Sequence, residues 1–302
     1  MPAAPILPPP TIPGAKKLSL DPALPVAVGL NEAIRGVVNY ALHWSTQGVD
    51  SPAQAVHEFR KSIRRARGLV KLLVPSLARD DYRRLNGALR ELVQPTSLLR
   101  DADVLLDLVE AHPFGNEELG WVLTGLLRVK RDAFHRFGKA AKVLGDARPS
   151  LITFPSTFAN ALPLNLDRRA LERGLKRSHR RAQRAWRCAV ETPTPVAVHD
   201  WRKRVKELRY QLELVAPLTG PHPGHEDLAQ MAEELGAATD RLVILDTMQA
   251  HRDALAPFAP EQLVRELEAD LSDRVQRSLE GAHPFFAMEP KVFVRWVFAA
   301  CD

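Results

Sequence analysis

"VHEFRKSIRRAR", residues 56–67, returns 142 positions later as "VHDWRKRVKELRY", residues 198–210, and the two copies read together decide the fold. On a helix turning about 100° per residue, Arg60, Lys61, Arg64 and Lys71 all fall within about 60° of His57. Val56, Phe59, Ile63, Ala66, Val70 and Leu73 lie on the other side, between about 160° and 260°. In the second copy His199, Arg202, Lys203, Lys206 and Arg209 take the places of His57, Arg60, Lys61, Arg64 and Arg67. Val198, Trp201, Val205, Leu208 and Leu212 repeat the apolar face. A helix that needs only solubility intersperses acids with bases. Two faces repeated together instead specify a pair of amphipathic helices, each with an apolar side for a bundle and a basic side for a partner.

Outward from these copies the chain reads as helix after helix. Residues 30–45 carry Ile34, Val37, Val38, Ala41 and Leu42 at helical spacing, and Pro52 and Pro75 bound the segment that holds the first copy. Further helices are predicted over 80–93, 98–110, 117–144, 166–190, 195–215, 226–252 and 260–280. Short runs such as "LITF" have strand propensity but no strand series accompanies them, so the expected class is all-α. The predicted organisation is a flexible proline-rich segment over 1–24, a first helical bundle over 25–150, a linker over 151–165 and a second bundle over 166–302. The apolar end "PFFAMEPKVFVRWVFAA" either closes the second bundle or makes a homodimer contact.

Composition narrows the function classes. The 302 residues are 45% hydrophobic and 26% charged, which describes a globular chain. Lys and Arg number 42 against 36 Asp and Glu, a net charge of +6 whose clustering would attract nucleic acid, phosphate polymers or acidic membrane surfaces. Two cysteines, Cys188 and Cys301, form neither a disulfide framework nor a metal spacing, and a reducing, cytoplasmic setting is expected. The start lacks a secretory signal pattern, and no apolar run is long enough to cross a bilayer. His112, His135, His222 and His225 show no metal-ligand spacing, no glycine-rich phosphate loop is present, and neither a cofactor nor a metal is expected.

Two weaker features extend the repeat. "LLRDADVLLDL", residues 98–108, aligns with "AATDRLVILDT", residues 237–247, matching Asp101 to Asp240, either as helix caps or carboxylates that orient a base, or alternatively as weak recruiters of Mg²⁺ along with phosphate. In residues 171–187, Arg173, Arg177, Arg180 and Arg184 recur at three- and four-residue spacing and form a third basic face. Residues alone lead to an extended polyanion, because Arg forks and Lys charges spread along helices form a track instead of a single-atom pocket. His57 to Lys71 spans about 21 Å of helix rise.

The paired histidine segments, with "LLRDADVL" between them, resemble the CHAD family, the conserved-histidine alpha-helical domains, over about residues 25–285. No acidic, strand-rich CYTH module of the kind sometimes fused to such domains is recognised. The resemblance implies two pseudo-symmetric antiparallel helical bundles around a basic central groove or pore. It further implies non-catalytic binding of inorganic polyphosphate and association with polyphosphate granules. Carried over by position, His57, Arg60, Lys61, Arg64 and Arg67 would line one half of the site, and His199, Arg202, Lys203, Lys206 and Arg209 the other. Glu207 departs from the basic position held by Arg65, Thr239 from that of Arg100, and Arg180 stands where similar proteins often carry an aromatic residue. The competing readings are a nucleic-acid backbone binder and a phosphate-polymer-processing enzyme.

Overall fold

The computed structural model describes residues 14–111, 117–135, 139–163, 165–220 and 223–299, and every regular element among them is helical. The long helices are α1 (Val26–Trp44), α2 (Pro52–Leu72), α3 (Arg79–Val93), α4 (Ser97–Ala111), α5 (Glu117–His135), α6 (Lys139–Ala161), α7 (Arg168–Glu191), α8 (Pro195–Thr219) and α9 (Pro223–Ala250). Then come the single turn α10 (Arg252–Leu255), α11 (Glu261–Gly281), the single turn α12 (His283–Phe286) and α13 (Pro290–Phe298). The two motif helices begin alike, with a proline in the first turn. Thr194 adds a cap to α8, its hydroxyl accepting from the Ala197 amide at 3.2 Å. Gly220, at φ +70°, ends that helix in a conformation that favours glycine.

Two sequence expectations change. Residues 151–161, expected as linker, complete α6, which runs through both Pro149 and Pro155. An internal proline costs about 3 kcal/mol, whereas burying a Leu or Phe contributes about 1.5–3 kcal/mol each. Leu151, Phe154 and Phe158 are all buried on one face, so packing outweighs the two breakers. The chain leaves the helix only after Ala161, before the Asp167 carboxylate caps α7. Likewise residues 14–24, expected to be flexible, are docked: the Ala15 amide donates to Gly36 O of α1 at 2.9 Å and the Leu20 amide to Leu214 O of α8 at 3.0 Å. Leu18 and Leu20 sink into the core between them. Residues 1–13 lie outside the described residues.

The hydrophobic interior does not divide at the repeat boundary. One large cluster joins Phe59, Ile63 and Leu69 of the first half to Trp201, Val205 and Leu212 of the second. A smaller one joins Leu106 and Leu123 of α4 and α5 to Ile244 and Leu267 of α9 and α11. The two halves of the sequence therefore share cores. The apolar C-terminal stretch packs inward, with Phe285, Phe286, Phe293 and Phe298 buried. His179 lies beneath it, stacked on Phe293 at 4.2 Å and donating from Nε2 to Phe285 O at 3.1 Å. Burial pushes its pKa down to about 4, so it serves as a neutral structural group.

Between the halves α2 crosses α8, running in the opposite direction. A Cβ on Gly68 would stand 3.3 Å from the Tyr210 Cβ, and Gln211 Nε2 donates to Gly68 O at 3.0 Å. On one side of this crossing Arg65 pairs with Glu213 at 3.4 Å; on the other Lys71 pairs with Glu207 at 2.6 Å. A second close approach places Gly174 of α7 directly on the Leu72 carbonyl at the end of α2.

Candidate functional site

The repeat brings cations from both halves to one place. Arg64 projects, exposed, from the middle of α2. Its charge acts on His57 and Arg60 of its own helix, on Arg100 of α4, and on Arg202 and Lys206 of α8. Lys61 and Arg209 likewise repel each other between the two halves. Lys206 records the crowding most strongly: burial, then Arg202 and Arg64, lower its pKa to about 7 against the partial support of Asp240. His57 is pushed below its ordinary 6.5 by burial and then by Arg100, and His199 by burial and then by Lys203 and Arg202. Both imidazoles are thus neutral donors near pH 7. Lys203 and His199 are exposed at the second-half end, where His199 also enters a cleft of about 290 Å³ walled by Val198, Leu242, Leu271 and Val275.

Acidic groups keep the cluster in place. Asp101 favours the charged form of Arg60, and Asp240 that of Arg202 and Lys206, so the two aligned aspartates stand beside equivalent arginines. The Asp240 carboxyl is raised above its usual range by burial, which exceeds the pull of these neighbouring cations.

Several expected ligand residues are already engaged. Arg60 is 7% exposed, and its Nη1 donates to Thr96 Oγ1 at 2.8 Å, Val93 O at 3.1 Å and Ser97 Oγ at 3.2 Å. It ties α2 to the junction between α3 and α4, and burial lowers its pKa to about 10. Lys71 is held by Glu207 within the α2–α8 crossing. Arg67, half-buried, donates from Nε to Asn86 Oδ1 at 3.3 Å. On α7, Arg173, Arg180 and Arg184 are exposed, while Arg177 is half-buried with Nη1 lacking a hydrogen-bond partner. Arg184 lines a cleft of about 310 Å³ between α7 and α8, together with Arg181, Arg204 and Asp200.

Sequence reasoning passed over Arg100, Arg181 and Arg204. The "LLRDADVL" motif pointed toward the first of these, whose half-buried side chain stands beside Arg64. The other two occupy no repeated histidine-face position and become visible only through packing. His112 and His222 lie outside the described residues, as do the side chains of His135 and His225. Among the described residues no group of three or more His, Cys, Asp or Glu is placed to hold a metal, and no helix is long and apolar enough to cross a membrane.

The CHAD domain model matches residues 32–249. The chain belongs to the CHAD family. The match contains both histidine helices and both aspartate motifs, and ends before α10. As a CHAD protein the chain is also similar to the crystal structure of the CHAD domain from the plant Ricinus communis, at TM-score 0.62 and 20% identity, covering 91% of this chain and 96% of that one. That likeness establishes the fold. No curated protein matches the sequence. In this CHAD domain the cations gather where α2, α4, α8 and α9 meet, and Arg181 and Arg184 of α7 line a second cleft.

Proposed function

We propose that this CHAD protein is a non-catalytic binder of inorganic polyphosphate that associates with polyphosphate granules. The observation that carries the reading is the convergence of Arg64, Arg100, Arg202 and Lys206 from both halves, crowded enough to depress Lys206 although Asp240 stands beside it. Cations held together at the cost of charging one of their own are stabilised by an anion that spans them all. A linear phosphate chain supplies regularly spaced negative charge to such a row, and the neutral histidines at its ends donate to phosphate oxygens.

A competition series separates this ligand from other anions. Long-chain polyphosphate should displace a labelled polyphosphate probe at concentrations well below those needed for pyrophosphate or single-stranded RNA at matched salt. RNA competing as well as polyphosphate per phosphate would favour the nucleic-acid reading instead. Steady hydrolysis of the probe by the pure protein would refute the non-catalytic assignment.

The same interaction should be linked to pH. In the free protein Lys206 loses its proton near pH 7, and a bound polyanion restores it. Affinity should therefore fall as pH rises from about 7 toward 9, by at most about tenfold per unit for one proton taken up. Calorimetry at pH 8 in buffers of different ionisation enthalpy should register close to one proton bound per site. The free fold has the opposite trend: a lysine lowered from 10.5 to about 7 disfavours the folded state while charged, so stability rises as pH climbs between those values. Affinity independent of pH across this window would remove Lys206 from the site.

A further inference from the structure

We infer that Glu207 acts as a built-in anion in the cleft between α7 and α8, holding cations that an external phosphate chain would otherwise engage and so limiting how far along the basic surface the polymer binds. The inference rests on the polyanion reading above.

Three cations from three helices converge on this one carboxylate. Lys71 Nζ of α2 lies 2.6 Å from Oε2, Arg181 Nη1 of α7 lies 3.3 Å from Oε1, and Arg204 Nη1 of α8 lies 3.6 Å from Oε2. An ion pair that only joined two helices would need one partner. Here the carboxylate is 5% exposed and sits behind its cations, while Arg181 and Arg204 are 30% and 22% exposed and reach the cleft with Arg184. Asp200 also faces that cleft, paired with Arg204 at 3.3 Å. The arrangement of an Arg–Arg–Lys anion site is therefore present with a carboxylate as its occupant.

Arg67 of α2 lies within electrostatic range of both Glu207 and Arg64. Position also argues for a specific change of charge: the residue aligned with Glu207 in the first copy is Arg65. In the first copy that position is a buried base paired with Glu213, and in the second it is a buried acid that gathers three cations.

Glu207→Gln keeps the shape of the side chain and removes the competing charge. Long-chain polyphosphate should bind this variant about tenfold more tightly than wild type, with a log–log salt slope steeper by about two. Glu213→Gln, which adds the same unit of charge but releases only the 5% exposed Arg65, should gain much less. Equal salt slopes in Glu207→Gln and wild type, or an equal gain in Glu213→Gln, would overturn the inference. Should Glu207→Gln fail to fold, Lys71→Met with Glu207→Met removes both partners of the 2.6 Å pair, leaves net charge unchanged and still frees Arg181 and Arg204. The gain should persist there, and its absence counts against the proposal. Adding Glu207→Gln to a protein lacking Arg64, Arg202 and Lys206 tests the cleft apart from the central group. Restored salt-dependent binding there supports the built-in anion, and no restoration rejects it, whatever wild type shows about the central site.

Discussion

Replacing Arg64, Arg202 and Lys206 together with Ala should weaken binding of long polyphosphate by at least about 100-fold and make its log–log salt slope shallower by two to three. A hydrogen bond to a charged group contributes about 1.5–3 kcal/mol, so three at the lower figure give about 4.5 kcal/mol before screening. At 1.4 kcal/mol per tenfold, about 4.5 kcal/mol is roughly a thousandfold, so a loss of about 100-fold remains after screening removes about a third of it. The fold should persist, because the repulsion relieved among these cations offsets the loss of Asp240's cationic neighbours. Fluorescence anisotropy across a salt titration measures the loss, and circular dichroism with thermal melting checks the fold. A well-folded triple variant that keeps full affinity would end the assignment of this site.

Gly174→Val should destabilise the fold by about 3 kcal/mol or more by urea denaturation. Helix propensity alone predicts a small gain, since glycine is about 1 kcal/mol worse than alanine inside a helix and valine lies between them. Space decides against it. A Cβ at this position would overlap the Leu72 carbonyl oxygen and crowd the Leu72 side chain, so α7 would have to move away from α2. Backbone cannot yield as a flexible side chain does, and overpacking of this kind costs about 1–3 kcal/mol before the two γ-methyls are counted. Gly145, whose Cβ would meet nothing within 4 Å, should accept valine with less than about 1 kcal/mol of change. Equal stability of Gly174→Val and wild type would show that α7 does not rest on α2 as described.

The helical class and the central cations were legible because they share one periodic pattern. His57, Arg64, Arg202 and Lys206 follow from the motif copies, and Val56, Phe59 and Trp201 from the apolar faces that accompany them. What escaped was decided by contacts that periodicity does not encode. Arg60 has the same helical phase as its neighbours, yet Thr96 and the Val93 carbonyl lie within its reach and convert it from a ligand into an anchor. Lys71 looked like the end of the track until Glu207 was found against it. Prolines 149 and 155 suggested a break because local rules see the lost hydrogen bonds but not the buried Leu151, Phe154 and Phe158. The docked residues 14–24 were missed for a similar reason: two leucines in a proline-rich context give no periodic signal.

The crossing of α2 and α8 has a further consequence for how the two halves could ever associate. Under the 142-residue repeat Arg65 corresponds to Glu207, Gly68 to Tyr210 and Lys71 to Glu213, so the two ion pairs exchange equivalent positions across the crossing. Two first halves brought together in that register would set Arg65 against Lys71, and two second halves would set Glu207 against Glu213. Only unlike halves meet with opposite charges. The two related segments thus carry a lock and a key at equivalent positions, which disfavours pairing of like halves from different molecules.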